Sequence, residues 1–392
     1  MTIFGKKIST SVFPSNWENL VEARSLKFVE LYLSTLLDEN QQLRRFHFDT
    51  IKFATDNFSE ANNIFVRGYC SMYKGRLQYG QAITILGPHS DSMFQLDNLV
   101  KNKQGVDEVL YKHLMNEVSI LVKLKHKNLI ELVGYCIQGP IMLLVYNLAS
   151  RKTLHSMLHD PLCTLLDWNQ RYQILLGIAR VFVYLHNQAP GPIIHGDLDS
   201  RSVVLNESFY PKLSDFGFAL QIEESDYVEV DMICGTQGHI LPEYLITGCV
   251  STKVDVFNFG LLVLETITGR KVLEILQLVQ CNNYQAWRML PQGPIAYLTD
   301  PNNVDASTAE IFINIGLSCI VLDPMLRPTM EEVVGMFLNE SSIFLFQQKH
   351  EEGMLEWYSN YIHMYVKHND YDAVSSDNDY DSVAADDFRQ EL

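Results

Sequence analysis

The 392-residue chain contains no run of about 18 apolar residues, so the sequence offers no membrane-spanning helix. Its first ten residues, MTIFGKKIST, lack the apolar core of a secretory signal and the second-position glycine that myristoylation requires. No cysteine precedes Cys70, so palmitoylation near the start is not expected either. Cysteine is scarce: there are seven, an odd number, with no C-x-x-C pair. That argues against a disulfide framework or a thiolate zinc site and for reduced thiols. Basic residues are outnumbered, 30 Lys and Arg against 47 Asp and Glu, for a net charge of −17. Such a balance excludes a general nucleic-acid binder and electrostatic docking on anionic lipid. The expectation is a cytoplasmic protein that reaches the plasma membrane only through partners.

What remains is an ordinary globular composition, 47% hydrophobic and 20% charged, in a chain long enough for about two lobes with tails. Residues 1–46 read as an extension whose Leu20, Val21, Phe28, Leu31, Leu36 and Leu37 fall near helical spacing. The stretch FHFDTIKFATDNFSE, 46–60, predicts a short amphipathic helix with Asp49 and Thr50 available as caps. From 61 to about 88 the pattern turns to short strand-like runs broken by glycine. Residues 107–124 predict a helix with Leu110, Leu114, Val118 and Leu121 on one face. LIELVGYC and IMLLVYNL predict two further strands, and the chain after 150 is mainly helical. Strands first and helices afterwards indicate an α+β, two-lobed body. The last segment, 346–392, is acidic and poor in apolar residues, and is expected to be disordered. Ser375, Ser376 and Ser382 sit among its acids as candidate phosphoacceptors.

The local phrases NEVSILVKLKHKNLIELVGYC, LDWNQRYQILLGIARVFVYLH, HGDLDSRSVVLN, STKVDVFNFGLLVLETITGRK and RPTMEEVVGM occur in the order found in protein kinases. Over roughly residues 58–340 the chain resembles the plant receptor-like kinases, and among them the cysteine-rich branch. The resemblance implies a protein-kinase-like fold over 47–345, with a β-rich N-lobe at about 58–146 and a mainly helical C-lobe at about 150–345.

Against the family's pattern, the functional positions are mixed. Aligning on MYKG puts Phe65, Arg67 and Cys70 where the phosphate loop carries its three glycines; Gly68 is the one glycine left there. A β-carbon at each of those places keeps the backbone away from phosphates. Thr84 stands where the third strand carries its phosphate-binding lysine, while the helix glutamate is present as Glu117. Without its lysine, Glu117 reads as a polar helix residue, solvated or paired elsewhere. Asp197 matches the proton-accepting aspartate and Asp215 the metal-binding aspartate, but Ser202, a shorter oxygen donor, replaces the asparagine that holds a second metal. Asp199 replaces a lysine, a reversal of sign worth at most about 8 kcal/mol for charges 4 Å apart at an effective dielectric of 20. Gly196 replaces the arginine that receives an activation-loop phosphate. The hinge aligns with Tyr146 as gatekeeper and with backbone groups of Asn147 and Ala149 toward an adenine. Scaffold positions are kept: Asp255 under the catalytic loop, His195 and Phe216 in the internal packing column, and the ion pair of Glu243 with Arg327.

This pattern implies a pseudokinase, with Asp197 vestigial, serving as adaptor, scaffold or decoy beside receptor kinases or immune receptors. ATP would bind weakly, and Mg2+ is left open. Two alternatives stay beside it: an active serine/threonine kinase in which Arg67 substitutes for the missing cation, and a nucleotide-sensing switch without phosphate transfer.

Overall fold

The computed structural model describes residues 43–67, 70–88, 108–138, 141–163, 166–222, 226–230, 239, 241–280, 306–321 and 323–338. The expected helix within 1–46, Gly68 and the acidic tail with Ser375, Ser376 and Ser382 lie outside these residues.

A short strand β1 (Arg44–Arg45) leads into helix α1 (Phe48–Ala54), then strands β2 (Asn63–Arg67), β3 (Cys70–Arg76) and β4 (Ala82–Pro88). Helix α2 (Glu108–Leu121) follows, and strands β5 (Leu132–Gln138) and β6 (Ile141–Tyr146) complete one six-stranded sheet in the order β1-β5-β6-β4-β3-β2. Alternation explains the sheet: Phe46, Ile51, Phe58, Tyr73, Ile83, Ile85, Cys136, Leu143 and Val145 form a small core on one face. On the other face α2 buries Leu110, Leu114, Val118 and Leu121, the stripe predicted from sequence.

Helix α1 is shorter than expected, and its caps are not those expected. Its N-cap is His47, which makes no side-chain cap, and Asp49 and Thr50 lie inside the helix. It stops because Thr55 turns its side chain on the backbone. The hydroxyl donates to the Ile51 carbonyl at 2.9 Å and accepts from the Phe58 amide at 3.1 Å. Asp56, Asn57 and Phe58 then adopt positive φ (52°, 58° and 52°). A threonine bonded to its own turn competes with helix continuation.

The C-lobe begins with strand β7 (Ser150–Thr153) and helix α3 (Leu154–His159), followed by α4 (Trp168–Val183). Asp167 and Gln170 close a reciprocal capping box on it: the Gln170 amide donates to Asp167 Oδ1 at 2.7 Å and the Asp167 amide to Gln170 Oε1 at 2.9 Å. A π-helical turn, Tyr184–Gln188, ends the helix. Short strands β8 (Ile193–Ile194), β9 (Val203–Asn206), β10 (Pro211–Leu213), β11 (Leu220–Gln221) and β12 (Val228–Glu229) frame the loop regions. Then come α5 (Pro242–Thr247), β13 (Cys249–Val250), α6 (Thr252–Thr268), α7 (Val272–Gln280), α8 (Ala306–Cys319) and α9 (Met330–Leu338).

Helix α6 is buried without interruption from Val254 to Thr268, so it is the axis of this lobe rather than an amphipathic surface helix. Its buried polar residues must each find a partner inside the protein. Two of them, Asp255 and Glu265, bond residues of the loop above it. The fold is α+β, a sheet-bearing lobe followed by a helical one.

Candidate functional site

The loop 195–202 is fastened from below. Asp255, at 0% exposure, accepts the His195 amide on Oδ2 and the Gly196 amide on Oδ1, both at 2.9 Å, and His186 Nε2 stands 2.9 Å from Oδ2. Gly196 has φ 78°, a conformation L-residues rarely adopt, so glycine here serves the backbone as well as removing a cation. The His195 ring packs edge-on to Phe216 at 4.9 Å, and its Nε2 donates to the Ser214 carbonyl at 2.9 Å. The Asp197 amide in turn lies 3.4 Å from His195 Nδ1, and Asp197 is 2% exposed.

Asp199 is not the free reversed charge that its position suggested. Its Oδ1 accepts the amides of Arg201 at 2.8 Å and Ser202 at 3.0 Å, and Oδ2 lies 3.8 Å from the Arg201 guanidinium. A carboxylate held by two amides and a cation presents little of its field to a ligand, so the 8 kcal/mol ceiling does not apply. Ser202 closes the same turn: its hydroxyl donates to the Asp199 carbonyl at 2.8 Å and accepts the Asp199 amide at 3.1 Å.

Across the cleft, Glu117 is fully buried and is not solvated. The Tyr146 hydroxyl donates to its Oε1 at 2.7 Å, while Oε2 has no hydrogen-bond partner among the described residues. Burial, then the nearby Asp215 carboxylate, push the Glu117 acid up to about 7; His113, the Tyr146 hydrogen bond and the Phe216 amide pull the other way. Burial, then Glu117, push the Tyr146 phenol well above its ordinary value. Thr84 sits opposite Tyr146 in the sheet and donates its hydroxyl to the Leu148 carbonyl at 2.9 Å. The residue at the lysine position is therefore spent on tying β4 to the hinge.

The hinge residues Asn147 and Ala149 are both exposed, and the Asn147 amide donates to the Glu131 carbonyl at 2.9 Å. Strands β2 and β3 pair as far as Arg67 with Cys70, and β2 also lies against β7 of the other lobe. Cys70 (7% exposed), Met72 (0%) and Leu148 (5%) are covered by the protein's own residues.

Asp215 has φ 68°, uncommon for a residue with a side chain. His113 Nε2 stands 3.0 Å from its Oδ1, and the His113 ring packs edge-on to Phe218 at 4.9 Å. Asn116 Nδ2 reaches the carbonyls of Phe216, Gly217 and Ala219 at 3.2, 3.0 and 2.9 Å. Helix α2 is thus held on the segment that follows Asp215. His113, Glu117 and Asp215 bring three ligand-capable atoms within 4.8 Å of one another. Sequence reasoning passed over His113 and Asn116. The available signal was the spacing of His113 to Glu117, four residues apart on one helical face.

A side chain at Gly217 would occupy the space of the His113 ring. Gly217→Ala is expected to cost about 1–3 kcal/mol by urea denaturation, because the imidazole must leave Asp215. In a His113→Ala background the same change should cost under about 0.5 kcal/mol, since the two residues are coupled through one contact.

Residues 75–337 match the family described as protein tyrosine and serine/threonine kinase. Cysteine-rich receptor-like protein kinase 41 of Arabidopsis thaliana is 35% identical over 330 residues, which cover 80% of this chain and 46% of that protein. Cysteine-rich receptor-like protein kinase 44 of the same plant is 33% identical over 354 residues, 84% of this chain and 86% of its own length. A G-type lectin S-receptor-like serine/threonine-protein kinase of that plant is 35% identical over 308 residues, 77% and 36% respectively. The chain thus spans less than half of the first and third of these relatives and most of the second.

Proposed function

The chain belongs to the protein tyrosine and serine/threonine kinase family, on its plant receptor-like branch, and from that premise we propose that it is a pseudokinase that acts by protein contact. Members of this family use ATP with Mg2+ in general. The observation that carries the proposal is what the catalytic positions are bonded to. Glu117 is engaged by Tyr146, Asp215 by His113, Ser202 by the backbone of Asp199, and Thr84 by the hinge carbonyl of Leu148. Each partner is a group of the protein where the family places a lysine, a metal or a phosphate.

The donor set fits Mg–ATP poorly. Mg2+ requires near-octahedral oxygen ligation. Asp215 instead faces an imidazole, and the Ser202 hydroxyl is used at both of its hydrogen-bonding ends. No lysine stands at 84 to balance the phosphates. In this reading Asp197 is a loop residue rather than a base, and the partners are receptor kinases or immune receptors at the plasma membrane. No helix among the described residues is long and apolar enough to cross a membrane, which suits attachment through such partners.

Thermal denaturation with ATP or ADP at millimolar concentration, with and without Mg2+ or Mn2+, tests the proposal. A nucleotide present at 100 times its dissociation constant would stabilise the fold by about 2.7 kcal/mol, or roughly 5–10 °C. The expected shift is under about 1 °C. Radiolabel transfer to a generic protein substrate should be absent from wild type and Asp197→Ala alike. Metal-independent stabilisation by ATP without transfer would favour the nucleotide-sensing switch, and transfer abolished by Asp197→Ala would establish an active kinase.

A further inference from the structure

On the helix just after the hinge, His155 and His159 stand four residues apart and so share a face. Both turn toward one carboxylate of α6. His159 Nε2 lies 2.8 Å from Glu265 Oε1, and His155 Nδ1 lies 3.8 Å from the same oxygen. The two rings are 4.7 Å apart between centroids. Ser200, in the loop above, donates its hydroxyl to that oxygen at 2.8 Å and lies 3.1 Å from His155 Nδ1. The Glu265 side chain is 4% exposed, His159 13% and His155 32%. The site is closed beneath and opens to solvent past His155.

The charge of Glu265 is the unusual part. Burial raises its acid, but the nearby His155 and His159, by hydrogen bonding and by charge, outweigh this and bring it down to about 2. It is an anion inside the lobe, and among the described residues no lysine or arginine pairs with it. A buried carboxylate is costly without a cation. The groups beside it are two imidazoles, which supply hydrogen bonds and, at an unprotonated ring nitrogen, a lone pair that a metal can use.

We propose that His155 Nδ1, His159 Nε2 and a Glu265 carboxylate oxygen bind one divalent transition-metal ion of the zinc class, with a fourth position open to water. The three ligand atoms lie within 4.8 Å of one another. Around a tetrahedral ion with bonds of about 2.1 Å, ligand atoms stand about 3.4 Å apart, and the observed 2.8 and 3.8 Å bracket that spacing. Binding takes the place of any proton on His159 Nε2 and His155 Nδ1. In a neutral ring that proton moves to the other ring nitrogen; in an imidazolium it passes to solvent while the other nitrogen keeps its own, so each ligand is a neutral imidazole. His155 moves inward by a fraction of an ångström. Ser200 stays as the outer partner that orients the carboxylate. Two imidazoles with one carboxylate select Zn2+, Ni2+ or Cu2+ over Mg2+ and Ca2+. The ion would link the post-hinge helix, α6 and the loop bearing Asp197, at a place separate from the His113, Glu117 and Asp215 cluster, and its binding is independent of whether the protein transfers phosphate.

The test is titration of the chelator-treated full chain with ZnCl2 by calorimetry, and with CoCl2 by visible absorption, where four-coordinate Co2+ shows intense d–d bands. One ion per chain is expected. His155→Ala and His159→Ala should each weaken Zn2+ by at least about 100-fold and abolish the Co2+ bands, while Ser200→Ala weakens it about 10-fold. His113→Ala should leave Zn2+ affinity unchanged. Circular dichroism confirms folding, and the half-exposed His155 variant decides the matter if His159→Ala does not fold. No binding up to about 1 mM Zn2+ by folded wild type, or equal affinity in wild type and His155→Ala, overturns the proposal.

Discussion

Glu117→Gln should make the protein more stable than wild type at pH 8, by about 3 kcal/mol, and leave stability nearly unchanged at pH 4.5. The reason is linkage. Glu117 titrates near 4.5 in the unfolded chain and near 7 when folded. The folded state therefore prefers the protonated acid. Its contribution is fully present below about pH 4.5 and is lost as pH rises through 7, because the buried group must then ionise or remain protonated at a cost. The difference between the two values corresponds to roughly 3 kcal/mol. Glutamine keeps an oxygen for the Tyr146 hydroxyl and carries no charge to ionise. It also removes the repulsion from the nearby Asp215 carboxylate. Urea denaturation of both proteins from pH 4.5 to 8 checks this. The difference between the two curves should grow with pH and level off above 7; parallel curves would sink the assignment of Glu117 as the titrating group. Tyr146→Phe should shift the same window upward, since it removes the hydrogen bond that favours the anion.

Arg327→Met is expected to be the most damaging single change, at about 3–5 kcal/mol. The Arg327 side chain is fully buried and bonded in several directions. It donates to Glu243 Oε1 at 2.5 Å, to the Val321 carbonyl at 2.6 Å and to the Lys253 carbonyl at 3.0 Å, and its guanidinium stacks over Phe257 at 4.9 Å. Lys253 Nζ donates back to the Arg327 carbonyl. Methionine fills much of the volume but leaves a carboxylate and two carbonyls without their donor. Arg327→Lys should rescue less than half of the loss, because an ammonium cannot present the same fork of donors. The midpoint of urea denaturation measures both. A loss under about 1 kcal/mol would mean that Glu243 finds another cation.

Much of the fold was legible because its signals are local or periodic. The spacing of Leu110, Leu114, Val118 and Leu121 placed α2, and the mainly helical character after 150 was legible as well. The polar chemistry was less legible because its partners are distant in sequence. Nothing within 20 residues of Glu117 announces Tyr146, 29 positions away, as its donor. The pairing depends on β6 passing beneath α2, which only tertiary structure fixes. Asp199 was misjudged for a different reason: reading the position as a lost lysine overlooked that aspartate binds amides two and three residues ahead, a habit visible in the D-S-R-S spacing. The end of α1 was missed on similar grounds, since Thr55 competes with the helix from within a favourable pattern. The H-x-x-x-H spacing at 155 and 159 was present in the sequence, but it acquires a third ligand only when α6 brings Glu265 beside it.

Asn116 spreads one amide nitrogen over three carbonyls in the segment after Asp215, while His113 holds Asp215 itself. The consequence lies in recognition. A working enzyme of this shape must open and close around its nucleotide, and each docking protein meets a moving outline. A body whose helix is sewn to the opposite lobe offers a single outline, already ordered before contact. Each side chain that needs no immobilisation on docking saves about 0.5–1.5 kcal/mol of lost freedom. The same bonds thereby fix one arrangement of α2 over the segment that follows Asp215.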